Sequence, residues 1–152
     1  MKHIKKISLC TFALLSSFSP IESKQVQAAI SLGELIDKIT ILTIKTERIS
    51  DSEKLKNITV ELELLQQLFN EYIGNRADIA QLMKELKITN EKLWDIEDMI
   101  RGKERIKEFN DEFIQLARSV YITNDKRCSL KRTIDTILGS EILEEKSYEA
   151  YL

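Results

Sequence analysis

The sequence predicts an all-α protein: one domain, a bundle of about four helices, with the third and fourth long. Three observations predict it. The only proline is Pro20, and glycine occurs only at Gly33, Gly74, Gly102 and Gly139. Strands need turns, and turns lean on Gly, Pro, Asn and Asp. The chain is also rich in Leu, Ile, Glu and Lys, which suit helices, and its apolar residues recur at steps of three and four rather than two. With 152 residues, 43% hydrophobic and 32% charged, it is long and apolar enough for a real core and is not a disordered chain.

Residues 1–28 stand apart from the domain at 29–152. Lys2, Lys5 and Lys6 precede a largely apolar run from Ile7 to Phe18, and small residues follow at Ala28 and Ala29. That is the layout of a signal peptide, with Val26 and Ala28 at the positions selected for cleavage. The run is too short to span a bilayer comfortably, so no integral membrane segment is expected in the mature chain. Cys10 precedes the apolar core, where a lipoprotein cysteine would not lie. The competing reading is a start codon placed too far upstream. A genuine leader predicts a periplasmic or secreted protein; a mis-assigned start predicts a cytoplasmic one.

The first helix begins at Ser31, which forms a capping box with Glu34. Leu32, Leu35, Ile36, Ile39 and Leu42 make one apolar face, while Ile41 and Ile44 lie off it, so this helix is expected to be covered on more than one side. Its β-branched residues make a strand the competitor; the spacing and the cap decide for helix. Asp51 or Ser52 caps the second helix, whose seam runs Leu55, Ile58, Leu62, Leu65, Phe69, Tyr72, widened by Leu64 and Leu68. A wide stripe suits a bundle better than a two-stranded coil. Gly74 ends that helix in the place where a left-handed residue is easiest.

Asn75 is expected to cap the third helix. Ile79, Leu86, Leu93 and Ile100 repeat every seven residues, with Met83, Asn90 and Glu97 as companions. The seam turns polar as it enters Leu93–Arg127, the stretch expected to anchor the fold. Gly102 is a place for the helix to bend, or it runs on to Glu108. The fourth helix starts near Asn110 or Asp111 and stops at Gly139. Its face runs Phe113, Ala117, Val120, Asn124, Lys131, Ile134, Leu138, with a polar middle. The tail, with Ile142, Leu143, Tyr148, Tyr151 and Leu152, is expected to pack back across the bundle.

Several chemistries are excluded. Removing residues 1–28 takes away four lysines and Glu22 and moves the net charge from −2 to −5. An acidic domain is a poor nucleic-acid binder, because affinity there comes from neutralising phosphates. The only histidine is His3, inside the leader, and Cys128 is the only cysteine beyond it. The mature chain therefore has no histidine triad or dyad and no cysteine zinc site. No metal site and no cofactor are assigned; any metal would have oxygen ligands.

The polar residues hardest to place on a plain surface lie in the anchor stretch. Glu97 falls on the seam of Leu93 and Ile100, and a buried carboxylate must be paired or hydrogen-bonded. Glu97 and Asp98 are the candidates for a base. Arg118, Asn124, Asp125, Arg127 and Lys131 on the fourth helix, with Lys38 on the first, are the candidates for holding a ligand. The competing reading is a closed structural network flanked by surface ion pairs. Glu34, Asp37, Lys38, Lys45 and Arg48 are expected to form a solvated face.

SLGELIDKITIL (31–42), LWDIEDMIR (93–101), ARSVY (117–121), TND (123–125) and EEKSY (144–148) together resemble an uncharacterised bacterial family of small helical proteins with no established activity. The resemblance spans Ser31 to Tyr148. It implies a link to glycosyltransferase or surface-polysaccharide systems, and family members begin just before the SLGELIDK segment. Motif positions carried over are Glu34, Asp37, Lys38, Trp94, Asp95, Glu97, Asp98, Arg118, Asn124, Asp125 and Lys146.

The function expected is therefore that of a binding or accessory protein with a protein partner or as a homodimer. The alternative is a small histidine-free helical enzyme, or a ligand-binding protein using its carboxylates and arginines on a small anionic ligand.

Overall fold

A computed structural model describes residue 26 and residues 28–149. The apolar run of the leader, along with Tyr151 and Leu152, lies outside the described residues. Four helices form: α1 (Leu32–Arg48), α2 (Ser52–Tyr72), α3 (Ala77–Arg105) and α4 (Asp111–Leu138). The all-α bundle and the greater length of the last two helices are as the sequence predicts. Among the described residues no helix is long and apolar enough to cross a membrane.

The helix ends follow local chemistry. Ser31 Oγ accepts the Glu34 N–H at 3.1 Å. Asp51 accepts from Glu53 and Lys54, both at 3.0 Å, and Asn110 from Phe113 at 3.1 Å. Each satisfies donors the first turn leaves free. Gly139 takes the left-handed conformation (φ 65°) and closes α4. One expectation is corrected. Asn75 is not the cap of α3: Arg76 holds that position without a side-chain cap bond, and Asp78, paired with Arg76 at 2.7 Å, supplies the negative charge the helix start favours. Gly102 does not end α3, in line with the reading that the helix runs on past it. The helix runs through it to Arg105, where Lys107 adopts φ 57° and its N–H reaches the Glu104 carbonyl.

The hub is α1, not the Leu93–Arg127 stretch. It packs against all three other helices; α3 and α4 pair as a hairpin, and α2 lies against α1 alone. At about 100° per residue, Leu35, Ile39 and Leu42 share one side of α1. Gly33, Asp37, Thr40 and Ile44 share the opposite side, and all seven are buried. The second set meets the hairpin, where Gly33 and Asp37 bond Asp135, Asn90 and Arg127. Leu35, Ile36 and Ile39 join Ile73, Ile79, Leu86, Leu130 and Ile134 in one core, with Leu62, Leu65 and Phe69 of α2 packed on it. Fully burying a Leu or Ile contributes about 1.5–3 kcal/mol, so this cluster supplies the main driving force.

Length explains the polar seam. α1 has 17 residues and α3 has 29; at about 1.5 Å per residue α3 outruns it by nearly 20 Å. The C-terminal turn of α1 meets α3 where Arg48 pairs with Asp95. Beyond that point the face of α3 that began as core has no third helix over it. Glu97 is therefore not the buried carboxylate expected from the seam: its side chain is 42% exposed and pairs with Arg101 at 2.6 Å.

The tail does turn back onto the bundle. It is held by charge rather than by its apolar residues: Glu144 bonds Lys131, Glu145 bonds Arg132 at 2.9 Å, and Ser140 Oγ accepts the Leu32 N–H. Ile142, Leu143 and Tyr148 stay exposed.

Candidate functional site

The centre of the molecule is a polar network between α1, α3 and α4. The Asp37 side chain is 0% exposed and is gripped by Arg127 from α4. Arg127 Nε donates to Oδ1 at 2.9 Å and Nη2 donates to Oδ2, the two-pronged geometry that makes arginine–carboxylate pairs strong. Asn90 of α3 donates its amide to the same Oδ1 at 2.8 Å and to Thr40 Oγ1 at 2.9 Å. Asp37 keeps Arg127 above even its usual high pKa despite partial burial. One carboxylate thus ties three helices together.

A second cluster lies toward the start of α1. Gly33 N–H donates to Asp135 Oδ1 at 2.6 Å, placing an acid at the positive end of α1. A glycine is required there because a Cβ would stand 2.5 Å from the Lys131 carbonyl and 3.0 Å from the Asp135 carboxyl. Lys131, 7% exposed, bonds Glu34 at 2.7 Å and Glu144 of the tail. Burial pushes its pKa down, but the two carboxylates outweigh that and the net shift is upward. Among the described residues no buried side-chain nitrogen or oxygen lacks a partner. The polar centre is a satisfied network.

The tail's attachment depends on pH. Lys131 holds the Glu144 carboxyl below its ordinary range, and Lys146 adds to the effect. A folded pKa below the unfolded one stabilises the docked tail above the ordinary glutamate range, about 4.3. That stability is lost as pH falls through the lower, folded value. NMR shifts of residues 141–148 are therefore expected to move to random-coil positions in acid, and to lie nearer those positions already at neutral pH in Glu144→Gln.

Beside the network, where α1 ends, lies an open cleft of about 400 Å³ lined by Ile41, Ile44, Asn90, Leu93, Trp94, Glu97, Asp98, Arg101 and Arg127. Arg127 and Asn90 belong both to its lining and to the Asp37 network, so the cleft adjoins that network directly. Arg48 lies over the Trp94 ring, 5.8 Å from its centroid, a cation–π contact that steadies the indole. Arg127 Nη1 is only weakly engaged, by Asn124 at 3.5 Å, leaving donor capacity on the guanidinium.

Of the residues singled out in the sequence, Glu97, Asp98 and Arg127 meet at this cleft, and Asn124 touches it only through its long bond to Arg127. Lys131 belongs to the second cluster. Arg118 is exposed, Asp125 and Lys38 are half-buried, and none of the three lines the cleft. Two acids matter in ways the sequence reading does not anticipate. Asp37, expected on a solvated face, is at the centre, and Asp135 is not among the candidates at all. A signal for Asp37 does exist: Gly33, Asp37, Thr40 and Ile44 step four, three, four, the spacing of a second packed face with small residues in it. Among the described residues no three acidic, cysteine or histidine side chains form a metal-ligand group.

In comparison with known proteins, a family model described as a family of unknown function (DUF6165) matches residues 26–152. No curated protein and no solved structure matches the chain.

Proposed function

The chain belongs to the DUF6165 family, whose function is unknown, and on that premise we propose that it is a helical binding protein, accessory to cell-envelope polysaccharide assembly, whose Trp94 cleft holds a sugar unit. The observation that carries this reading is the composition of the cleft. A sugar ring offers an apolar C–H face and a rim of hydroxyls. The first suits an aromatic wall such as Trp94, an apolar body with a polar edge. The second suits a few fixed planar donors and acceptors, here Asn90, Glu97, Asp98 and Arg127. An apolar-walled cleft of this size with few convergent polar groups is the usual form of a small-ligand site.

Charge favours an uncharged ligand over an anionic one. Arg101 and Arg127 are matched by Glu97 and Asp98 on the cleft wall, and Asp37 already neutralises Arg127 from behind. A phosphate or dicarboxylate would meet no net positive field. The catalytic alternative has less support, because Glu97 is engaged by Arg101 and open to solvent.

Trp94 is the only tryptophan in the chain, so its fluorescence reports the cleft without labelling. Titration with neutral mono- and oligosaccharides is expected to shift the emission saturably. The double substitution Glu97→Gln/Asp98→Asn is expected to weaken the binding at least about tenfold, the equivalent of 1.4 kcal/mol. An emission change only with sugar phosphates or dicarboxylates would transfer the site to anionic ligands.

A further inference from the structure

The fold leaves two helix faces uncovered on opposite sides of α1. On the outside of α2, Val60, Leu64, Leu68 and Tyr72 are all exposed. They recur every four residues, so they form one stripe winding slowly round the helix. From Asn57 to Tyr72, α2 carries Glu61, Glu63 and Glu71 and no basic residue, so the stripe has an acidic border. On the far side of the α3–α4 hairpin, turned away from α1, Ile88 and Ile122 sit exposed in a shallow groove with Lys92 and Lys126 beside them. Neither lysine makes an ion pair among the described residues.

We infer that the acidic, apolar face of α2 in one copy docks on the basic, apolar groove of the α3–α4 hairpin in a second copy. Three features select this occupant. The two faces carry opposite charge, so each is the other's complement and neither is its own. Both are helical surfaces with exposed Leu and Ile side chains, the material that packs ridges into grooves. Docking α2 there also extends the order inside each chain, where α1 is covered by α2 on one side and the hairpin on the other. The contact is heterologous, pairing two different surfaces, so it builds a ring or an open stack rather than requiring a two-fold axis. It does not depend on the sugar-binding reading.

The test is sedimentation of the full chain and three variants, each checked for unchanged helical circular dichroism. The wild type is expected to associate, more weakly as salt rises, since exposed charges are screened. Glu61→Lys/Glu71→Lys and Lys92→Glu/Lys126→Glu are each expected to raise the apparent dissociation constant at least about tenfold. The chain carrying all four changes is expected to recover to within roughly threefold of the wild type, because the complement is restored with its signs exchanged. A wild type that stays monomeric at high concentration overturns the inference. Association untouched by either pair, or not recovered in the combined variant, overturns it equally.

Discussion

Replacing Asp37 with asparagine is expected to cost the fold about 3–5 kcal/mol, the range for breaking a buried ion pair by removing one partner. Asp37 is wholly buried and accepts bonds from Arg127 and Asn90. Asparagine keeps the volume but offers one acceptor where the carboxylate has two, and it turns an NH₂ toward donors. Arg127 is left partly buried without its counter-charge, and that costs more than the lost attraction itself. Urea unfolding measures the loss. A matched control isolates the cause: Asp37→Leu combined with Arg127→Met removes both charges together. Much of the stability should then return, because apolar residues of similar volume commonly replace buried pairs at little cost. If Asp37→Asn alone is neutral, the network does not join the three helices as described.

The second large effect is a reversal of sign between two glycines. Gly33→Ala is expected to destabilise by about 1–3 kcal/mol, the usual cost of forcing a methyl group into a packed interior. The new Cβ would meet the Lys131 carbonyl at 2.5 Å, and a backbone atom in a helix interior cannot swing aside. Relief requires α1 to move off α4, which lengthens the Gly33–Asp135 bond now at 2.6 Å. Gly102→Ala is expected to do the opposite. Gly102 lies inside α3 with nothing within 4 Å of the added Cβ, so alanine gains about 0.5–1 kcal/mol of helix propensity. Paired denaturation curves of the two variants give both signs in one experiment.

These residues also mark how far the sequence can be read. Helix starts at Ser31, Asp51 and Asn110 and stops at Gly74 and Gly139 follow from bonds made within a turn or two, so they are legible without the fold. The role of Asp37 is not local. Its neighbours in sequence, Glu34 and Lys38, pattern it as a charged surface, and only the small residues Gly33 and Thr40 at seam spacing signal a second packed face. Glu97 fails for the complementary reason. A seam position predicts burial only while another helix covers it, and the sequence of α3 carries no mark of where α1 ends. The apolar residues of the tail suggest that they hold it, yet Glu144 and Glu145 do so, because Lys131 and Arg132 on α4 happen to face that path.

If the polar centre is scaffold and the adjoining cleft is the ligand site, stability and binding must separate in different variants. The direct measurement is a thermal-shift series with neutral saccharides on the wild type, Asp37→Asn and Glu97→Gln/Asp98→Asn. A ligand at a hundred times its dissociation constant stabilises by about 2.7 kcal/mol, well within detection. The predicted result is a ligand-induced rise in the wild type that Glu97→Gln/Asp98→Asn cuts to about half or less while keeping its ligand-free melting temperature, with Asp37→Asn melting lower before any ligand is added. A rise undiminished by the loss of both carboxylates, or no rise with any saccharide, would contradict it.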